Sequence, residues 1–164
     1  MTKKTTYIIL VVTILAVAGM YFYNKYNVAP KIDVTALTVV DQNDTKFDIA
    51  SLKGKKVILS FYASWCPPCR EELKALAKIK NQKLAGYEIL AITDESLEKL
   101  MEFKNRTQYP FTFLALTKIF SDIGINSIPT TYLLNAKGEI VYNNVGFIDW
   151  EDESTFQHLT SLME

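Results

Sequence analysis

The sequence predicts a single α/β domain with a mixed sheet, preceded by one transmembrane helix. Three observations indicate this: an apolar run opens the chain, short apolar stretches alternate with helical periodicity through the rest, and 164 residues suit one domain. With 49% hydrophobic residues, the chain is too apolar to be disordered. Three of its 18 basic residues precede residue 31, which leaves 15 against 18 acidic residues in the rest. Nucleic acid is therefore not an expected partner.

The first element is predicted to be a transmembrane helix. Two lysines precede an uncharged segment, residues 5–24, which is apolar from Tyr7 to Tyr23. About 20 apolar residues cross a bilayer as a helix, and tyrosines suit both membrane interfaces. We therefore assign residues 1–24 to an uncleaved signal anchor and residues 25–33 to a tether.

A cleaved signal peptide is the alternative to the anchor, because Ala16-Val17-Ala18 resembles a cleavage site. The apolar character continues past that site, which favours a single-pass membrane protein. Lys3 and Lys4 are expected to stay in the cytoplasm. Either alternative sends the rest of the chain across the cell membrane, to the extracytoplasmic (periplasmic) side, where thiols and disulfides do redox work.

Residues 34–164 form the predicted α/β domain. Its expected elements are an N-terminal β-hairpin at 34–40 and 45–49, a strand at 57–62, a helix at 67–84, a strand at 87–92, a helix at 95–106, a short helix at 117–123, a hairpin at 130–134 and 139–142, and a terminal helix with Phe156, Leu159 and Leu162 on one face. The run at 57–62 is apolar throughout, which is typical of a central strand buried on both faces. Tyr109-Pro110 is expected to lead into an edge strand.

The chemistry is predicted at the end of the strand at 57–62, where residues 65–70, WCPPCR, lead into a helix. Two cysteines separated by two residues can close a small disulfide ring, and such a pair in a βαβ setting is a redox signal. Free backbone N–H groups at the start of a helix favour a thiolate on the first cysteine. We therefore expect Cys66 to be the exposed nucleophile and Cys69 the resolving thiol. Trp65 is expected to pack on the loop and shield Cys66.

Other uses of the two cysteines fit less well. Haem attachment requires a histidine where Arg70 stands, and His158 alone cannot complete a zinc site. A permanent disulfide in so small a ring would constrain little chain entropy. Copper binding by the thiols and His158 depends on the fold bringing that residue close, although His158 is expected at the surface of a helix. No metal is expected, and no cofactor beyond the redox-active disulfide Cys66–Cys69.

Three blocks of the sequence resemble the membrane-anchored thioredoxin-like proteins of the TlpA/ResA type. They are LKGKK at 52–56, ASWCPPCREEL at 63–73 and IPTTYLLNAKG at 128–138, and they occur in the family's order. The resemblance covers about residues 34–164 and implies a thioredoxin-like fold with the activity of a protein-disulfide oxidoreductase.

The same resemblance implies a cis peptide bond before Pro129, which would face the dithiol and leave backbone edges free for a substrate. An ordinary trans proline at the start of a strand is the alternative from general statistics. The substrate surface implied by the resemblance consists of Trp65, Pro67, Pro68, Ile128 and Pro129.

The sequence also departs from ordinary thioredoxins, which carry a buried aspartate six residues before the first cysteine, where this chain has Ser60. Glu72 matches a glutamate that ResA-like proteins place near their dithiol, and it shares a helix face with Cys69, three residues before it. Glu72 is therefore either an acid–base group that accepts the proton of Cys69 or a solvated acid that complements the helix dipole.

These features predict an extracytoplasmic thiol–disulfide oxidoreductase. The resemblance favours a reductant of protein disulfides in cytochrome c maturation, with apocytochrome c as a substrate and a membrane dithiol protein as electron donor. An oxidase or isomerase of secreted proteins and a non-catalytic metallochaperone are the alternatives.

Overall fold

The computed structural model describes residues 3–164. Its first element is the 25-residue helix α1 (Lys3–Asn27), which is long and apolar enough to cross a membrane. None of the residues of α1 is buried against the rest of the protein. An apolar helix of this length that is not buried in the domain could serve as a membrane anchor.

The folded domain contains one mixed sheet, confirming the predicted α/β class. Its strands are β1 (Val39–Val40), β2 (Lys46–Phe47), β3 (Lys56–Phe61), β4 (Tyr87–Thr93), β5 (Thr112–Leu116), β6 (Thr130–Leu134) and β7 (Ile140–Val145). Within residues 3–164 their order is β2-β1-β5-β4-β3-β6-β7. Strands β3, β4 and β5 run parallel, and every other pairing is antiparallel.

Helices α2 (Pro67–Lys80), α3 (Leu97–Thr107) and α4 (Glu153–Ser161) accompany the sheet, with 3₁₀ turns at Val34–Ala36, Ile49–Leu52 and Phe120–Ile123. Helices α3 and α4 are capped by Ser96 and Asp152, whose side chains accept hydrogen bonds from first-turn N–H groups. Helix α2 is capped by Cys66 and has prolines in its first two positions, where a missing N–H costs nothing.

The central strand β3 divides the apolar interior into two cores, because its successive side chains point to opposite faces. Ile58 belongs to the first core, together with residues of α2, α3 and α4. Leu59 and Phe61 belong to the second core, which the N-terminal part of the domain and the turn at Phe120–Ile123 cover. The prediction that this strand is buried on both faces is therefore confirmed.

The N-terminal hairpin is present but shorter than predicted. Val34–Ala36 form a 3₁₀ turn, because the Asp33 carboxylate accepts hydrogen bonds from both the backbone N–H and the hydroxyl of Thr35. Strand β1 also pairs with β5, with Val39 opposite Leu116. The prediction that β5 is an edge strand was wrong, since the hairpin covers that edge.

Two helix ends also differ from the prediction. The helix expected at 67–84 ends at Lys80, because the N–H groups of the next residues turn back to the carbonyl of Ile79. Leu162 lies beyond α4 and is 36% exposed, whereas Met163 is buried in the first core. The predicted apolar face of the terminal helix is therefore wrong at Leu162, since the chain leaves the helix before that residue.

The segment expected to be a tether makes contacts with the domain. Ala29 is buried in the second core, and the carbonyl of Pro30 accepts a 2.8 Å hydrogen bond from the Tyr132 hydroxyl. The ring of Pro30 lies against Gly124, where an added Cβ would be 3.2 Å from the Cβ of Pro30. The chain is thus held by the domain from Ala29 onward, before the expected boundary at residue 34.

Substitution of Gly124 tests this contact. Gly124 has φ +81°, so Gly124→Ala is expected to cost about 1–2 kcal/mol from backbone conformation, and the tight contact of 3.2 Å with Pro30 is expected to add to that cost. Gly54→Ala is the matched control, because Gly54 has φ +97° and open space around its Cβ position. Urea unfolding of the detergent-solubilised chain should show a larger loss of stability for Gly124→Ala. Equal losses would mean that Pro30 does not rest on Gly124.

Candidate active site

The two cysteines form a disulfide at the start of α2. Their sulfurs are 2.03 Å apart, and the Cys66 sulfur accepts a hydrogen bond of 3.3 Å from the backbone N–H of Cys69. Pro67 and Pro68 carry no N–H group, so the Cys69 N–H is the first backbone donor of the helix. A thiolate on Cys66 would meet this donor and the positive end of the helix dipole.

Both cysteines are buried, Cys66 being 3% exposed and Cys69 1%. The expectation of an exposed Cys66 is therefore wrong in this oxidised form. The loop after β3 turns back on itself through a hydrogen bond from the Cys66 N–H to the Ala63 carbonyl, and Cys66 joins the first core. Trp65 projects into solvent, at 68% exposure, and does not pack on the loop as expected.

The peptide bond between Ile128 and Pro129 is cis, as the resemblance implied. Thr130, the next residue, pairs with Phe61 at the end of β3, which brings Pro129 beside the strand that leads to the dithiol. The Pro129 carbonyl accepts a hydrogen bond of 2.8 Å from the Gly146 N–H. Any backbone edge free for a substrate therefore lies before the proline.

The five residues of the expected substrate surface differ in exposure. Pro67 and Pro68 are exposed beside the cysteines, as is Trp65. Ile128 is half-buried, and Pro129 is buried. The first three side chains are thus open to solvent, whereas the side chain of Pro129 is not.

Glu72 is fully buried beneath this region, at the meeting point of three elements. One carboxylate oxygen accepts a hydrogen bond of 2.7 Å from the Thr131 hydroxyl and a longer one of 3.5 Å from Ser60. The other oxygen accepts a hydrogen bond of 2.9 Å from the Ile148 N–H. Ser60 and Thr131 face each other across the pairing of β3 with β6. Glu72 therefore lies over the position where ordinary thioredoxins carry their aspartate.

Burial raises the pKa of Glu72 to about 7, although its hydrogen bonds with Thr131 and Ile148 act in the opposite direction. The indole N–H of Trp150 is buried near this carboxylate but outside hydrogen-bonding geometry. The interpretation of Glu72 as a solvated acid is wrong, and the neighbouring Glu71 is the exposed one. A carboxyl group that titrates near neutral pH can exchange protons at working pH.

Glu95 is a second carboxylate at this end of the sheet, and sequence reasoning missed it. It accepts hydrogen bonds from the backbone N–H of Ser64, at 2.6 Å, and from the Ser64 hydroxyl, at 2.9 Å. Its side chain is only 8% exposed. Ser64 stands two residues before Cys66, so Glu95 fixes the loop that presents the dithiol. An acid just after a buried strand was the available signal, because the carboxyl ends of parallel strands meet at one edge.

The copper alternative lacks its ligand set in the described part of the chain. Residues 3–164 contain no group of three or more histidine, cysteine or acidic side chains that could hold a metal ion. His158 is exposed on α4, as expected. The fold therefore does not join it to the cysteines.

Comparison with known proteins agrees with this geometry. The model of the Redoxin family matches residues 27–159. The thioredoxin-like protein YneN of Bacillus subtilis is 30% identical over 161 residues, covering 89% of this chain and 92% of that protein. The thiol-disulfide oxidoreductase ResA of the same organism is 30% identical over 124 residues, covering 73% of this chain and 69% of ResA. The resemblance to ResA-type proteins is thus confirmed.

Solved structures show the same fold. The crystal structure of a putative thiol:disulfide interchange protein DsbE from Chlorobium tepidum superposes with a TM-score of 0.68 at 22% identity, covering 82% of this chain and 99% of that one. The thioredoxin-like fold is therefore confirmed. With a family model that spans most of the chain and relatives that are thiol-disulfide oxidoreductases, this chain belongs to the Redoxin family and is a thioredoxin-like thiol–disulfide oxidoreductase.

Proposed function

We propose that this chain is an extracytoplasmic reductant of protein disulfides, held at the cell membrane by α1. The observation that carries the proposal is the dithiol at the start of α2, with a buried carboxylate beneath it. Residues 1–24 are the anchor, and the domain acts on the periplasmic side. Substrates meet a surface formed by Trp65, Pro67, Pro68, Ile128 and Pro129.

The first step is attack by the Cys66 thiolate on a substrate disulfide. A bond forms between the Cys66 sulfur and one substrate sulfur, the substrate disulfide breaks, and its second sulfur leaves as a thiolate. The Cys69 N–H and the helix dipole stabilise the attacking thiolate. Because Cys66 is buried in the oxidised form, its sulfur becomes reachable once the ring opens or the loop at Trp65 moves.

The second step is resolution by Cys69. Its thiol loses a proton and attacks the Cys66 sulfur, which restores the Cys66–Cys69 disulfide and releases the second substrate thiolate. Two electrons have then passed to the substrate. Glu72 stands one helical turn after Cys69, and with a pKa of about 7 it can take up the proton at neutral pH.

Each turnover leaves the disulfide to be reduced again by two electrons. We assign that role to a membrane dithiol protein and the substrate role to apocytochrome c, as the resemblance to ResA-type proteins favours. Net electron transfer from the substrate to this protein would make the protein an oxidase, and disulfide exchange without net electron transfer would make it an isomerase. The Cys69→Ser variant in native membranes identifies the partners, because it stops the reaction at the mixed disulfide.

The roles of the two cysteines can be separated by alkylation. In the reduced protein at neutral pH we expect Cys66 to react faster than Cys69, because Cys66 caps the helix. Cys66→Ser should abolish insulin reduction, and Cys69→Ser should accumulate mixed disulfides that include the substrate and the donor. Faster alkylation at Cys69, or mixed disulfides that form only through Cys69, would reverse the assignment.

Glu72→Gln tests the proton transfer. We expect resolution of the mixed disulfide to slow by about 10²-fold at neutral pH and to lose its rise through pH 7, because the amide cannot accept the proton. Glu71→Gln is the matched control on the same turn and should keep the wild-type pH–rate profile. Identical profiles for both variants would assign the proton to solvent.

Glu72→Gln is also expected to change how the stability of the protein depends on pH. The folded pKa of about 7 exceeds the unfolded value of 4.5. The contribution of Glu72 to the free energy of unfolding is therefore fully present below pH 4.5 and is lost as the pH rises through 7. The free energy of unfolding of Glu72→Gln, measured by urea unfolding relative to wild type, should therefore rise by on the order of 1–3 kcal/mol between pH 4.5 and pH 8. A difference that does not change with pH would contradict the raised pKa.

Membrane fractionation tests the anchor. The full-length protein should remain in the membrane pellet after alkaline carbonate washing, because α1 is long enough to span the bilayer. Protease added from the periplasmic side should digest residues 31–164. A soluble mature chain beginning at Gly19 would show cleavage after Ala18 and contradict the anchor.

A further inference from the structure

We propose that the folded domain lies against the bilayer through one defined surface, formed by Lys31 and residues 117–124, and that lipid head groups cover it. We call this the membrane-facing surface. The proposal rests on the proposed function in one respect, namely that α1 spans the membrane. It goes further by fixing which side of the domain faces the lipid.

The length of chain between membrane and domain is the first argument. The apolar run ends at Tyr23, and the four helical residues to Asn27 add about 6 Å. Three more residues reach Pro30, adding at most about 10 Å. The head-group layer itself is roughly 5–7 Å thick. Pro30 therefore stands within about 10 Å of the outer edge of the head groups.

The size of the domain turns this short distance into an orientation. About 130 residues fold to a radius of gyration of roughly 14 Å. The width of such a domain is more than three times the distance of about 10 Å between Pro30 and the head groups. A body of that width cannot turn its attachment point away from the membrane. The surface around Pro30 must therefore be the one that faces the lipid.

The chain is fixed to the domain at Ala29 and Pro30. The Pro30 carbonyl accepts the hydrogen bond from Tyr132, the ring of Pro30 rests on Gly124, and Ala29 is buried in the second core. These contacts hold Pro30 on the face of the sheet opposite α2, α3 and α4. The second core, with its covering turn at Phe120–Ile123, is thus the side nearest the bilayer.

The side chains next to Gly124 suit a head-group layer. Ile119, at the start of the turn that Gly124 ends, is 57% exposed although it is large and apolar. Lys118 and Lys31 are also exposed on this surface, and Asp122 is its one exposed acid. Because two basic residues and one acid leave a net charge of only +1, the contact is expected to depend mainly on proximity and apolar insertion and little on anionic lipid.

The orientation limits which partners the dithiol can meet. Pro129 follows Gly124 by five residues, so it lies at most about 17 Å from the membrane-facing surface along the chain. The reactive edge therefore lies within that distance of the surface that faces the lipid. A partner that carries its cysteines close to the plane of the membrane, such as the proposed membrane dithiol donor, is therefore within reach.

Single fluorophores test the orientation in the full-length chain. Cysteine is introduced at one position in a Cys66→Ser, Cys69→Ser background, labelled with an environment-sensitive dye and reconstituted into phosphatidylcholine nanodiscs that carry head-group nitroxides. The label at Ile119→Cys, or at the neighbouring Lys118→Cys, should lose most of its emission. The control is Leu162→Cys, exposed next to the first core on the opposite face, which should lose little.

A third label separates this inference from the anchor. Val12→Cys lies within α1, and acyl-chain nitroxides should quench it if α1 spans the bilayer. Quenching at Val12 with no more quenching at residues 118 and 119 than at residue 162 would overturn the orientation and leave the anchor standing. An unquenched label at Val12 would overturn both. Quenching at 118 and 119 that disappears in high salt would contradict a contact made by proximity.

Discussion

The antiparallel pairing of β3 with β6 is the interaction on which the rest of the structure depends. It puts Thr130 opposite Phe61, so that the cis-proline loop lies beside the end of the strand that leads to the cysteines. One residue further along, it puts Thr131 opposite Ser60 and so forms the polar floor under Glu72. The two sides of a redox site that lie far apart in the chain meet through this one pairing. A shift of register by one residue would turn Thr131 to the other face and leave the buried carboxylate without its strongest partner.

Helix α2 supplies the buried carboxyl group that ordinary thioredoxins carry on their central strand. The central strand has a serine where ordinary thioredoxins carry an aspartate, and a serine does not titrate near neutral pH. Helix α2 supplies Glu72 into the same space, and its longer side chain reaches the serine from above. Desolvation disfavours the charged form of a buried acid, and it raises the pKa of Glu72 to about 7. The environment, and not the strand position, decides the behaviour of the group.

Much of the fold was open to prediction from the sequence because its signals are local. The apolar run of β3, the two-residue spacing of the cysteines and the prolines after Cys66 each act within a few residues. The burial of Cys66, the outward direction of Trp65 and the contact of Pro30 with Gly124 depend on residues distant in the chain, and none of them was predicted. Glu95 was missed for the same reason, since its partner Ser64 lies 31 residues away. The exposure of Glu72 could not be decided until its contacts with β6 and Ile148 were known.

The two tryptophans of the chain stand in opposite surroundings. Trp65 is open to water next to Cys66, whereas Trp150 is fully buried near the Glu72 carboxylate. Indole emission shifts to longer wavelength in water and responds to a charge placed beside the ring. The protein therefore contains two optical reporters in different surroundings, one on the proposed substrate surface and one near the carboxyl group that is proposed to exchange protons. Docking of a partner and ionisation of the carboxylate can be followed separately, at two emission wavelengths, in the unlabelled chain.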